Sequence, residues 1–346
     1  EAHTHTLTRP PSRMRRATGM GLSLSKLASL ATVSTMVYLP FVFMGLAALL
    51  ASSPLSAQFR SPYPVGRVVL GIYLLWAWLW DRNQASRGGR KNPWLVSLAL
   101  WRLYRAYFPA FLIKEEELDP GKGPYLFGAH PHGIIANSVW ANLISNPDAF
   151  PGLNWRACTL STNFFIPFWR DFLMGMGLVS VDKRSLDYML THNISALIVV
   201  GGAREALNAR PRSFDLTLLD RRGFVAVALR HGVSLVPVFS FGENDMYSSL
   251  VSNAAGTLLR NVQETLLRVT GVTFPLLGNV IPNRHPLVTV VGRPIHIPKI
   301  EKPSLDTVIH YHKLYCAELE RLYFKYRDRY YPTSHEIMRL VPGASL

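Results

Sequence analysis

Hydrophobic positions along this chain follow two regimes. Up to about residue 80 they come in long blocks; beyond about residue 120 they alternate between short runs and helical spacing. The first block, LASLATVSTMVYLPFVFMGLAALLA at 27–51, carries no charge and is long enough to cross a bilayer core as a helix. Pro40 predicts a kink within it. A proline-marked turn at 54–64 leads to a shorter second block, VGRVVLGIYLLWAWLW at 65–80. Basic residues flank both outer ends, Lys26 on one side and Arg82, Arg87, Arg90 and Lys91 on the other, whereas the turn holds only Arg60. The positive-inside bias places both ends in the cytosol. Residues 27–80 therefore predict a helical hairpin in a membrane, with a re-entrant wedge that stops short of the far leaflet as the alternative. A buried hairpin in a soluble protein competes, but the charge-free first arm argues against it. A secretory leader fits poorly, because the apolar stretch is too long and starts too late.

Residues 81–119 are expected to link this hairpin to a globular domain. Within them, WLVSLALWRLYRAYFPAF at 94–111 is rich in aromatics and predicts an interfacial helix ended by Pro109, with an ordinary core helix as the rival. From 120 to 330 the pattern is that of an α/β domain. Short apolar runs predict strands at 124–129, 154–159, 196–200, 234–239 and 288–291, and helices are expected at 168–176, 185–193, 223–230 and 306–326. Their alternation predicts a mixed, mostly parallel sheet wrapped by helices. Residues 1–26 are expected to be a basic flexible arm and 331–346 a tail.

Charge and cysteine content narrow the picture. A formal net charge of +15 points to anionic partners: a membrane surface, a phosphate-bearing cosubstrate or nucleic acid. No nucleic-acid reader motif accompanies the charge, so nucleic acid is not expected. The two cysteines, Cys158 and Cys316, have no metal-like spacing and do not make a disulfide framework.

The candidate chemistry sits at YLFGAHPHGII, 125–135. Pro131 biases His130 toward extended backbone and suits the first turn of a following helix. His132 would then lie near a helix N-terminus, whose dipole keeps its ring neutral and able to accept a proton from a hydroxyl. Gly133 permits close approach of a ligand to the backbone. A structural histidine pair and half a zinc site are the competing readings. The second lacks partners at ligand spacing, since His231, His285, His296 and His310 are scattered, and no metal is expected. At VGGAREAL, 200–207, Gly201-Gly202 allow a turn from strand into helix. Glu205 then either sits favourably in the first helical turn or faces the histidines across the strand ends. No G-x-S-x-G elbow occurs, and GMGLVS at 175–180 is a broken dinucleotide motif with no strand before it.

Taken together, these pieces resemble the type-2 diacylglycerol acyltransferase family, which includes monoacylglycerol and wax-alcohol acyltransferases. The matching residues are Tyr107-Phe108-Pro109, His130-Pro131-His132-Gly133, PFWRDFLMGMGLVSVDKRS (167–185), VGGAREAL, RRGFVAVALRHGVSLVPVFSFGEN (221–244) and VVGRPIHIPK (290–299), in order and at preserved spacing from about 93 to 326. The resemblance implies an enzyme of the endoplasmic reticulum membrane and lipid droplet, its catalytic domain facing the cytosol. It implies transfer of an acyl chain from acyl-CoA to the hydroxyl of diacylglycerol, with acyl-CoA as cosubstrate and no other cofactor. Monoacylglycerol or a long-chain alcohol is the alternative acceptor, and a non-catalytic lipid-binding protein the alternative class. A homo-oligomer is compatible with all of these. His132, His130 and Glu205 would be catalytic; Gly133, Tyr107, Phe108, Pro109, Arg221 and Arg222 would bind substrate. Two departures stand out: FPLLGN at 274–279, where the family more often has a basic residue between glycines, and Arg204 at a usually small position. The family is distantly similar to the lysophosphatidate acyltransferases, which place His and Asp five apart. Here Ile135 and Asn137 stand at those positions, so something other than that aspartate must orient His132.

Overall fold

The computed structural model describes residues 39–49, 51, 65–248, 257–270, 278–279, 281–331 and 337–342. The basic arm at 1–26 and about half of the first hydrophobic arm, 27–38, lie outside them. A seven-stranded sheet forms the centre. Its strands are β1 Ala110–Lys114, β2 Tyr125–His130, β3 Trp155–Thr159, β4 Leu178–Ser180, β5 Ser195–Val199, β7 Ser234–Phe241 and β8 Leu287–Val291, with β6 Asp215–Thr217 lying apart from it. Their order across the sheet is β1-β8-β7-β2-β5-β3-β4. Five strands run parallel, while β8 pairs antiparallel with β7 and carries β1 parallel beside it. The expected mixed, mostly parallel sheet is therefore present. The helices are α1 Val65–Leu79, α2 Leu100–Tyr107, α3 Trp169–Gly175, α4 Lys183–Thr191, α5 Gly202–Asn208, α6 Gly223–His231, α7 Leu258–Thr270 and α8 Leu305–Tyr330.

Strand alternation sorts the core into two layers. Leu126, Ile198, Leu235 and Phe239 point to one face, where α4, α6 and α8 cover them. Phe127, Leu197, Val236 and Val238 point to the other, against α2, α3 and the segment 137–144. A side-chain period of two on strands buried on both faces gives the near-continuous apolar runs seen in the sequence. The stripe on α8 is core-facing, with Val308, His312, Tyr315, Leu319 and Leu322 buried.

Two segments differ from expectation. Residues 94–111 are not one interfacial helix. Asn92 caps a short turn at Pro93–Val96, α2 follows, and β1 starts right after Pro109. Trp101, Tyr104 and Tyr107 recur every three residues and are buried, so this aromatic face belongs to the core. Residues 331–346 are more than a tail: β9, Arg339–Val341, pairs in parallel with β6 in a separate two-stranded sheet. The expected hairpin lies only partly within the described residues, since 27–38, 50 and 52–64 fall outside them. No helix among the described residues is long and apolar enough to cross a membrane. Helix α1 has 15 residues, about 22 Å at 1.5 Å per residue, against a hydrocarbon core of about 30 Å. Most of its apolar side chains are exposed, Val68, Ile72, Leu75 and Trp78 among them.

A buried charge cluster ties α1 to the domain. Tyr73 donates to Asp171 and accepts from the Phe168 N–H at 2.9 Å, while its ring stacks on Phe168. Arg90 bridges Asp81 and Asp171, and Arg170 meets Asp81 at 2.7 Å with both side chains almost fully enclosed. Removing Arg170 takes from the enclosed Asp81 one of its two cationic partners and leaves Arg90 alone to offset a buried charge. Arg170→Ala is expected to destabilise the chain by about 3 kcal/mol, measured by denaturant unfolding; a change under about 1 kcal/mol would refute the clamp.

Candidate active site

The three adjacent parallel strands β7, β2 and β5 end at the same edge of the sheet, and the loops that leave them meet. His130 and His132 come from the end of β2, Glu205 from the turn after β5, and Glu243 from the turn after β7. In open α/β sheets the carboxyl ends of the strands are where ligands bind. Strand direction and order thus bring together groups up to 113 positions apart (130 to 243).

His130 lies on the α8 face, because it shares strand parity with Leu126 and Gly128. It is essentially fully buried. Its Nε2 lies 2.9 Å from the Tyr315 hydroxyl, which donates to the Gly128 carbonyl at 3.0 Å. With that hydroxyl proton committed, Nε2 must be the donor to Tyr315 and Nδ1 the bare nitrogen, enclosed without a partner among the described residues. Gly128 makes this contact possible, since a Cβ there would stand 2.1 Å from the Tyr315 oxygen. Burial, with nearby His312 adding, lowers the His130 pKa to about 3. This ring is neutral and built into the core.

His132 is different. The His130–Pro131 peptide is cis, and the chain then makes a turn over 133–135 before a short helical segment starts at Asn137. His132 is therefore not at a helix N-terminus. Its pKa is lowered by burial instead, partly offset by a hydrogen bond to the Gly133 carbonyl. That carbonyl, 3.1 Å from Nδ1, can only accept, so Nδ1 carries the proton and Nε2 presents its lone pair. The ring is half-buried, and Nε2 has no hydrogen bond among the described residues. A backbone carbonyl thus does the orienting that the missing aspartate would do.

Glu205 holds the loop rather than the ring. Its Oε1 accepts the His132 N–H at 2.6 Å and its Oε2 the Thr217 N–H at 2.8 Å. Gly201 leaves space for the carboxylate: a Cβ there would lie 2.1 Å from Oε2. Burial raises the Glu205 pKa to about 7, against the pull of its two N–H donors. Both oxygens are engaged by backbone N–H groups, and the carboxylate meets no imidazole nitrogen among the described residues; it stands in the first turn of α5, as one of the two expected readings had it.

Glu243 was not anticipated. Its Oε1 accepts the Asn137 N–H at 2.9 Å and its Oε2 the Ser138 N–H at 2.6 Å. Burial raises its pKa to about 7 as well. Gly133, at φ +57, packs directly on it, and a Cβ there would meet its Cγ and Oε1 at 2.5 Å. One signal was available: an acid behind a strand and a glycine in FSFGEN, as Glu205 stands behind a strand and two glycines. Two buried carboxylates thus clamp the loop, at His132 and at Asn137–Ser138. Between them the N–H groups of Gly133, Ile134 and Ile135 have no acceptor among the described residues.

The other expected residues are placed unequally. Arg221 is exposed and close enough for its charge to favour ionised Glu205. Arg222 precedes α6, near His312, with its Nε enclosed and unpaired among the described residues. Arg230 pairs with Asp187 at 3.6 Å. Tyr107-Phe108-Pro109 forms part of the frame: the Tyr107 hydroxyl donates to the Pro282 carbonyl at 2.7 Å, and Phe108 is wholly enclosed. One turn earlier, Tyr104 donates to the Asn137 side chain at 3.0 Å and so braces the loop. Among the described residues no three His, Cys, Asp or Glu side chains converge as metal ligands.

A family model described as "Diacylglycerol acyltransferase" matches residues 63–339. The chain is 42% identical over 271 residues to "Diacylglycerol O-acyltransferase 2" of Dictyostelium discoideum, covering 74% of this chain and 81% of that protein. It is 42% identical over 277 residues to "Diacylglycerol O-acyltransferase 2A" of Umbelopsis ramanniana, covering 75% and 77%. It is also 40% identical over 275 residues to "2-acylglycerol O-acyltransferase 1" of Bos taurus, covering 75% and 81%. Among solved structures it is similar to a 1-acyl-sn-glycerophosphate acyltransferase from Thermotoga maritima, with a TM-score of 0.40 and 11% identity over 86% of this chain and 95% of that one. A likeness that distant carries no argument about chemistry. The half-open imidazole behind a parallel strand and the extent of the matches agree: this chain belongs to the diacylglycerol acyltransferase family.

Proposed function

We propose that the protein transfers a fatty acyl group from acyl-CoA to the free hydroxyl of diacylglycerol, with His132 as general base. One observation carries this reading: His132 is held neutral, its Nδ1 proton fixed by the Gly133 carbonyl and its Nε2 open. Nε2 takes the proton of the acceptor hydroxyl as that oxygen attacks the thioester carbonyl. The C–O bond forms, and the carbonyl oxygen becomes an oxyanion. The unpaired N–H groups of Gly133, Ile134 and Ile135 are the candidate donors to it. The C–S bond then breaks, and the CoA thiolate leaves or takes the proton back from the imidazolium. His130 and Glu205 act behind the reacting atoms, positioning the loop.

The exposed apolar surface of α1, followed by Arg82, Arg87, Arg90 and Lys91, supports attachment to a membrane, where the acceptor resides. We place the protein at the endoplasmic reticulum membrane or a lipid droplet surface, with its domain on the cytosolic side. Fractionation with protease protection tests that placement; a lumenal domain would refute it.

Acyl transfer is tested with membranes holding the full chain, labelled acyl-CoA, and diacylglycerol, monoacylglycerol and a long-chain alcohol in competition. Triacylglycerol as the main product is the expected result. Monoacylglycerol, favoured by the bovine relative's name, would instead give labelled diacylglycerol. No thioester cleavage with any acceptor would leave a lipid-binding protein. Because burial lowers the His132 pKa, the acid limb of log kcat/KM should fall below the ordinary imidazole value of about 6.5. An acid limb above about 7 would contradict the neutral base.

A further inference from the structure

Behind Glu205, helices α5 and α7 frame a separate cavity of about 120 Å³. Its wall includes Arg204, Asn208, Thr217, Arg260, Glu264 and Arg268. Three arginines and one glutamate line it, a net of two positive charges. The charges are unequal in their commitments. Arg260 is buried, with Nε on Glu264 at 2.7 Å and Nη1 on the Leu207 carbonyl at 3.2 Å. It thereby neutralises Glu264, whose pKa is lowered first by that hydrogen bond and further by the Arg260, Arg268 and Arg204 charges. Among the described residues Arg204 and Arg268 form no hydrogen bond or ion pair of their own. Two guanidinium forks at one small cavity, with their local acid already engaged, favour an anion with several acceptor oxygens.

The cavity has room for a phosphoryl group. The cavity also adjoins the clamp on the reacting loop. Thr217 lines it and donates its N–H to Glu205, which holds the His132 N–H.

We propose that this cavity binds the phosphoryl group of a phosphate-bearing ligand, with Arg204 and Arg268 as its free donors. Two sources carry that chemistry: a phosphate of CoA, which rests on the acyl-transfer reading, and the phosphomonoester headgroup of a lipid, which does not.

The test uses the full chain in detergent and the double variant Arg204→Ala/Arg268→Ala, which removes no hydrogen bond or ion pair among the described residues. Arg184→Ala/Lys302→Ala, equal in lost charge and remote in sequence, is the control. CoA binding is measured by equilibrium dialysis. Flotation is measured with phosphatidylcholine vesicles with and without phosphatidate. A roughly tenfold or larger loss of affinity in the double variant alone is expected. Loss in the dialysis arm assigns the phosphate to CoA; loss in the phosphatidate arm assigns it to a lipid headgroup; loss in both means the cavity takes either. Unchanged binding in both arms, or an equal loss in the control, overturns the site. Acyl transfer by the wild type is assayed separately. An inactive wild type with arginine-dependent binding would sink the enzyme reading and leave the cavity standing. An active one with unchanged binding would do the reverse.

Discussion

His132→Ala is expected to lower acyl transfer by about two to four orders of magnitude, the usual worth of a positioned proton acceptor. Thermal stability should move little, because the half-buried ring makes its side-chain hydrogen bond only to its own loop. His130→Ala should show the opposite balance. Its ring is packed in the core and donates to Tyr315, so losing it opens a void and leaves a buried hydroxyl short of a partner. We expect a cost of about 2–3 kcal/mol and an activity that tracks the folded fraction. Turnover and unfolding, measured on both variants, separate the two histidines. Wild-type turnover in the His132 variant would remove the assigned base, and a specific kcat loss in a fully folded His130 variant would shift the role to that ring.

Glu205→Ala carries the second large effect. Each oxygen of this buried carboxylate satisfies one backbone N–H, at His132 and Thr217, and alanine leaves both donors unpaired. At about 1–3 kcal/mol per orphaned group, the loss is about 2–6 kcal/mol. The same change frees the loop that aims His132, so kcat should fall by roughly a hundredfold with KM for acyl-CoA less affected. Glu205→Gln should rescue only part of this, because the amide accepts one N–H but turns its own NH₂ toward the other. The pH dependence gives an independent check. The folded pKa, about 7, lies above the ordinary value of 4.5. The folded state therefore holds more protons than the unfolded state between these values, and the stability this group contributes is lost as pH rises through that window. The stability difference between wild type and the Gln variant should shrink from about pH 4.5 to about 7 and stay flat above. A difference constant with pH would mean that the carboxylate is not buried in solution.

Much of the site could be seen in the residues themselves. The HPHG tetrapeptide behind an apolar run marked the histidine loop at a strand end, and the double glycine marked a close approach. What each group does there was not visible. A helix dipole was the expected cause of a neutral His132, but the helix starts only at Asn137 and burial is the cause. Glu205 was expected either in the first helical turn or facing the histidines; it stands in that turn and holds two backbone N–H groups, one of them that of His132. The aromatic run at 94–111 suited a membrane interface by composition. A period of three at Trp101, Tyr104 and Tyr107 fits a core equally well, and packing decided for the core.

The amino-acid sequence by itself determined the α/β class, the positions of the central strands, the place of the histidine loop behind a strand and the apolar N-terminal character. Those depend on local periodicity and on backbone limits at Pro and Gly, which act within a few residues. Only the tertiary structure decided that Glu243 and Tyr315 support the loop, that one histidine is core and the other open, and that arginines from α5 and α7 meet in one cavity. The physical reason is that strand order and helix packing set contacts between residues far apart in the chain, and local pattern carries no record of that order.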